Sequence, residues 1–270
     1  MFSAALVSAL GSVLYWLLFL VGIYVYVSLI RQISVRSVPM VDESARTFGL
    51  PEAIAATVLI FWLLLNVYAS VKFTTTDLGT RDLVANLVLT VVLLLILAGF
   101  LKLRGFDLDG LAGFSKVGIV RAVSTGALLL LVAYPLLLVV EAITQQLIGH
   151  GSSTQSIVEL FNKSRTIGQR IMIIILAVAV APVAEEFVFR FFLYGVFRRY
   201  FGRLVGVLTN SVLFAAVHAH LPSFAPLLVL GTCFTLAYEW SGSILVSMAM
   251  HSLFNSLTLI VLAFPELFQQ

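Results

Sequence analysis

Of the 270 residues, 61% are hydrophobic and 11% charged, where soluble domains carry roughly 25% charged residues. A chain with a mean hydropathy of +1.09 would aggregate in water unless lipid covered most of it, which excludes a soluble globular domain. The net charge of +3 and a pI near 9.1 do not make a nucleic-acid binder, because no stretch clusters four basic residues. A single cysteine, Cys233, excludes an internal disulfide.

An apolar helix of about 20 residues crosses the hydrocarbon core, and the chain holds eight runs of that kind in succession: Ser12–Ile30, Glu52–Val71, Leu83–Leu101, Ile119–Ala142, Ile171–Phe192, Leu204–His218, Phe224–Glu239 and Ser243–Ala263. The fold class is therefore all-α, a polytopic membrane protein with about eight transmembrane helices. The sixth and seventh runs are short, parted only by Leu221-Pro222-Ser223. The first positive charge is Arg31, so the first run reads as a retained helix and not a cleaved leader. Between Thr144 and Gln169 lies the longest polar stretch, holding Gly149-His150-Gly151-Ser152-Ser153 and a short interfacial helix around 157–161. It divides four N-terminal helices of unassigned role (1–150) from a C-terminal core of four more (151–270).

Basic residues in the connections set orientation. One side receives Arg31, Arg36, Arg46, Lys102, Arg104, Lys116, Arg121, Arg198, Arg199 and Arg203; the other receives Lys72, Arg81, Lys163, Arg165 and Arg170. Ten against five places both termini outside the cytoplasm, in the cell membrane.

Ionisable groups inside spans are costly and read as functional by default. The densest case is Glu185-Glu186-Phe187-Val188-Phe189-Arg190 in the fifth run. Glu186 and Arg190 are four apart on one helix face, in the favourable order for a pair. Glu185 points about 100° away with no local cation, which makes it the candidate general base. Pro182 cannot donate to the carbonyl of Val178, so a bend is expected there. His218 ends the sixth run, and His251 and Asn255 share a face of the eighth. A carboxylate, two imidazoles and an amide on separate helices suit water activation and oxyanion stabilisation. Other polar residues read as bland: His220 at the interface, His150 solvated, Glu141 and Glu239 reaching headgroups from span ends, Asn66 and Asn210 bonding between helices, Gly202-x-x-x-Gly206 as a helix contact.

Glu185-Glu186-x-x-x-Arg190, Phe214-x-x-x-His218 and His251-x-x-x-Asn255 resemble the three motifs of the CPBP intramembrane proteases, which comprise the type II CAAX prenyl endopeptidases and the bacteriocin-processing or immunity proteins of the Abi group. The resemblance covers about Ile171–Leu262. It implies that Glu185 and His218 activate a water, that His251 and Asn255 stabilise the oxyanion, and that Glu186 and Arg190 hold the site in shape. Phe191 departs from the glycine many members carry there, which bears on substrate size.

Two forms of the chemistry stay open. Glu185, His218 and His251 could be zinc ligands around an open water position, or Glu185 could activate water without metal, the reading favoured here. The expected activity is cleavage near the C-terminus, or in the membrane-proximal part, of a membrane-associated peptide or protein, prenylated or not. The competing readings are a non-catalytic immunity or scaffold protein of the same fold and, less favoured, a proton-relaying transporter.

Overall fold

The computed structural model describes residues 4–36, 47–72, 80–148, 161, 164, 166–264 and 266; among them there are helices and short turns and no strand. In the first half run α1 (Ala4–Val35), α2 (Leu50–Lys72), α3 (Thr80–Leu103), the single-turn α4 (Leu108–Ala112) and α5 (Ile119–Ile148). The second half holds α6 (Ile167–Ile175), α7 (Ala181–Glu185), α8 (Tyr194–Val217), α9 (Phe224–Ser241) and α10 (Ile244–Ala263). Two π-helical stretches, Leu176–Val180 and Glu186–Leu193, flank α7. The loop around His150, nearly all of the expected interfacial helix, Arg46, Lys163 and Arg165 lie outside the described residues.

Seven described stretches are long and apolar enough to cross a membrane, and the protein is an integral multi-pass membrane protein. The fifth of them, Ile167–Val217, has 51 residues; at about 1.5 Å per residue a straight helix of that length would far exceed a hydrocarbon core of roughly 30 Å. Gly202, at φ 77 and ψ 174, breaks it. Its two legs are the fifth and sixth runs read from the sequence, so each of the eight runs is helical. Gly202 is thus a bend, made by a backbone conformation that side chains disfavour, and not the interhelical contact expected of it. Gly206 does pack closely, its Cβ position 3.0 Å from the Arg198 backbone nitrogen.

Local signals set the other boundaries. Gly242, at φ 67, ends α9, and Ser243 caps α10 by accepting from the Leu245 N–H. A 3₁₀ turn at Leu221–Ser223 joins α8 to α9, where the sequence placed its turn. In lipid the hydrophobic effect does not drive helices together, so close approach and interhelical hydrogen bonds must hold them. α5 packs against α1, α9 and α10. Gly22 lets α1 lie on the Val132 carbonyl, and Tyr26 donates to the Leu129 carbonyl at 3.0 Å. Asn210 donates to Thr235 between helices at 3.2 Å, as expected, whereas Asn66 turns back to Trp62 of its own helix at 2.7 Å. One buried cluster runs from Tyr26 to Met250, so both halves of the chain share a core.

Charged contacts gather at one end. Arg203 donates to the carbonyls of Ile33 and Arg36, and Arg36 to that of Trp240. Glu239 does not reach out to headgroups as expected; its side chain is 6% exposed and meets Arg198 at 2.7 Å, Arg203 at 3.1 Å and the Tyr194 hydroxyl at 3.0 Å. Two donors and the charge of Arg203 make burial tolerable for a carboxylate that would otherwise need water.

Candidate active site

The helix that carries Glu185 passes twice into the π register. In the first π turn the Ala181 N–H donates to Leu176, five residues back. The next donor in that register would be Pro182, which has no N–H. The Ala177 carbonyl is therefore left without a donor in its own helix. Asn255 Nδ2, from α10, donates to it at 2.7 Å. The sequence placed the orphan at Val178, four residues before the proline; the π register moves it to Ala177.

Glu185 closes the single α turn between the two π stretches, and Glu186 opens the second. The two carboxylates reach one imidazole from different sides. Glu186 Oε1 accepts from His251 Nδ1–H at 3.0 Å, and Glu185 Oε2 lies 3.8 Å from His251 Nε2. The second distance is too long for a hydrogen bond. Because a carboxylate can only accept, Nδ1 carries the proton, and Nε2 is the ring nitrogen that faces Glu185. Exposure separates the pair: the Glu186 side chain is 0% exposed and that of Glu185 30%.

Arg190 neutralises Glu186 at 3.0 Å, both fully buried, as the i, i+4 spacing predicted. Its guanidinium lies 4.2 Å from the Phe214 ring centre and 5.2 Å from that of Phe234. Rings thus replace water around a buried cation. Phe234 also stacks on His251 at 5.0 Å. Gly231 makes room for this box, since a Cβ there would stand 3.0 Å from Phe214. The sequence reading missed the box; its trace is Phe214, four residues before His218, and Gly231, at the right depth on α9. Glu185 Oε2, Glu186 Oε2 and Arg190 Nε are buried without a hydrogen-bond partner among the described residues.

His218 sits at the end of α8, half-buried, with its Nδ1–H on the Phe214 carbonyl at 2.7 Å. Its ring meets Phe214 edge-on at 4.8 Å, and His251 meets the same phenyl ring at 6.0 Å. No hydrogen bond or ion pair joins His218 to Glu185 or His251 among the described residues. The structure therefore brings Glu185, Glu186, Arg190 and His251 together, sets His218 across Phe214, and turns Asn255 to Ala177. His220 bonds Ser223 at 2.7 Å. Phe191 is buried and stacks on Phe187 at 4.8 Å.

A catalytic zinc needs three protein ligands about 2.0–2.2 Å from one point. Among the described residues no three His, Cys, Asp or Glu side chains are gathered in that way; Glu185 and His251 are two donors without a third. The arrangement does not fit a zinc site, and the chemistry of Glu185 and His251 is derived without a metal.

The class this defines is an all-α, multi-pass membrane protein with a carboxylate–imidazole cluster buried in its C-terminal helices. Residues 167–257, about a third of the chain, match the family model described as Type II CAAX prenyl endopeptidase Rce1-like, so that segment is similar to the CAAX-type intramembrane proteases. That segment contains all three motifs. No curated protein and no solved structure matches the chain.

Proposed function

We propose that the protein is an intramembrane endopeptidase that hydrolyses a peptide bond near the C-terminus, or in the membrane-proximal part, of a membrane-associated peptide or protein. The observation that carries this reading is one imidazole between two adjacent carboxylates of unequal exposure. Glu186, sealed and paired with Arg190, orients His251 as the buried carboxylate of a catalytic triad orients its histidine. Glu185 is the more open carboxylate, and its Oε2, the oxygen that faces His251, is buried without a partner among the described residues, so a water bound there would fill an unmet acceptor.

A water about 2.8 Å from both Glu185 Oε2 and His251 Nε2 would subtend roughly 85° across the 3.8 Å gap. That is near the angle between its own O–H bonds, so its lone pairs point away, towards a scissile carbonyl. Glu185 takes the proton as the water oxygen bonds to the carbonyl carbon. Passed to His251 Nε2, that proton makes an N–H for the developing oxyanion, while Nδ1–H stays on Glu186. It leaves on the amine as the C–N bond breaks. His218, its Nδ1–H held by the Phe214 carbonyl, stands aside from this water, whose two hydrogens are already accepted.

A groove of about 370 Å³ is lined by Ile119, Ala122, Val178, Met248 and Leu253. Its apolar walls suit a lipophilic substrate, and the family description extends the class to prenylated tails. The basic end of the bundle, with Arg36, Arg104, Arg198 and Arg203, faces the cytoplasm under the positive-inside rule.

The test is peptide cleavage by the purified protein in lipid, with and without chelator. Wild type cleaves in both conditions, and folded Glu185→Ala loses roughly 10²–10⁴-fold, the usual worth of a positioned base. Reversible loss with chelator would replace the metal-free mechanism, and normal turnover by Glu185→Ala would end the proposal.

A further inference from the structure

We infer that Asn255 is a positioning residue: its amide stands in for the backbone N–H that Pro182 lacks, and by holding the π turn it sets the direction of Glu185. This rests on the reading of Glu185 as the water activator. Three residues on two helices and one carbonyl are involved.

A π turn is rare because it inserts a residue into a ladder that closes more favourably in the α register. Here the α register is blocked. The Pro182 ring would clash with the carbonyl four residues earlier, that of Val178, and its nitrogen donates to nothing. The π register escapes the clash, with Ala181 bonded to Leu176, but leaves the Ala177 carbonyl bare inside the membrane. An unpaired carbonyl there is costly. The Asn255 contact at 2.7 Å removes that cost. The proline and the asparagine thus act as one device on two helices, the first refusing the α register and the second satisfying the π register.

The device matters for chemistry because it stands just before the reacting carboxylate. Glu185 lies three residues beyond Pro182, at the end of a five-residue α turn between two π stretches. A one-residue change of register rotates everything beyond it by about 100°. Such a rotation would take Glu185 away from His251 Nε2, now 3.8 Å distant. Asn255 therefore acts on the reaction through Glu185, without touching the substrate. An oxyanion donor at the same position would touch the substrate and would not depend on residue 182.

That dependence is the experiment. Pro182→Ala restores an N–H that can close the ladder onto the Ala177 carbonyl, so it should make Asn255 dispensable. The four proteins are wild type, Pro182→Ala, Asn255→Ala and the double variant, with thermal midpoint, kcat and KM measured on the same lipid-reconstituted preparations. In the wild-type background Asn255→Ala should lower the midpoint by roughly 2–4 °C. It should also lower kcat by about 10²-fold, the cost of a small misplacement of a catalytic group, with KM nearly unchanged. In the Pro182→Ala background the same substitution should move the midpoint and kcat much less, a coupling that only interacting sites show. Equal midpoint steps in both backgrounds would overturn the pairing. A rescued midpoint with an undiminished kcat step would overturn the positioning role and return Asn255 to the oxyanion. Should wild type cleave no peptide, the proposed function falls, and the midpoint cycle still decides the pairing.

Discussion

α3 and α9 cross the same bilayer on opposite terms. The α3 stretch has a mean hydropathy of 2.8 and only 11% of its residues buried, whereas Leu221–Ser241, which contains α9, has a hydropathy of 1.5 and 44% buried. The more apolar helix is the less buried one. In water that order would be reversed, but lipid is itself the apolar solvent, so the helices that face it can be uniformly greasy. The interior is where polar groups find partners: Thr235 with Asn210, Gly231 with Arg190, Phe234 on His251. Hydropathy therefore marks where the lipid lies, and departures from it mark where the protein works.

That contrast can be broken by substitution. The largest effect should come from Arg190→Met, which leaves the fully buried Glu186 without its counter-charge. Breaking one partner of a buried pair costs about 3–5 kcal/mol, measured as unfolding in detergent, and a loss below about 1 kcal/mol would mean that water reaches the site freely. A smaller loss, about 0.6–2 kcal/mol, is expected for Asn210→Ala, one interhelical hydrogen bond. Smallest is Leu95→Val on α3, 67% exposed to the surroundings, which should stay within about 0.5 kcal/mol. If Leu95→Val cost as much as Asn210→Ala, α3 would have a protein neighbour where the comparison puts lipid.

The sequence was most legible where one physical rule acts alone. Continuous apolar runs have no alternative to helix in lipid, so all eight runs hold, and the i, i+4 spacing of Glu186 and Arg190 becomes an ion pair as a regular helix requires. Legibility failed where a long-range contact chooses among local options. Pro182 announced a broken ladder, but the carbonyl left bare was Ala177 and not Val178, because the π register depends on a partner 78 residues beyond Ala177. The approach of His251 Nε2 to Glu185, at 3.8 Å, is likewise a contact between distant helices. Glu239 looked like a headgroup-facing charge until the bend at Gly202 brought Arg198 and Arg203 onto it. None of these is a pattern of neighbours in sequence.

In the proposed mechanism two adjacent carboxylates divide the labour of the site, with Glu185 taking part in the reaction and Glu186 holding His251 and Arg190 in place. The most direct measurement is kcat and thermal midpoint for Glu185→Gln and Glu186→Gln, side by side on folded, reconstituted protein. Glu185→Gln should keep the midpoint within a degree or two and lose roughly 10²–10⁴-fold in kcat, while Glu186→Gln should lower the midpoint by several degrees, because Arg190 and His251 both lose their charged partner. A folded Glu185→Gln protein that turns over at the wild-type rate would contradict the central claim.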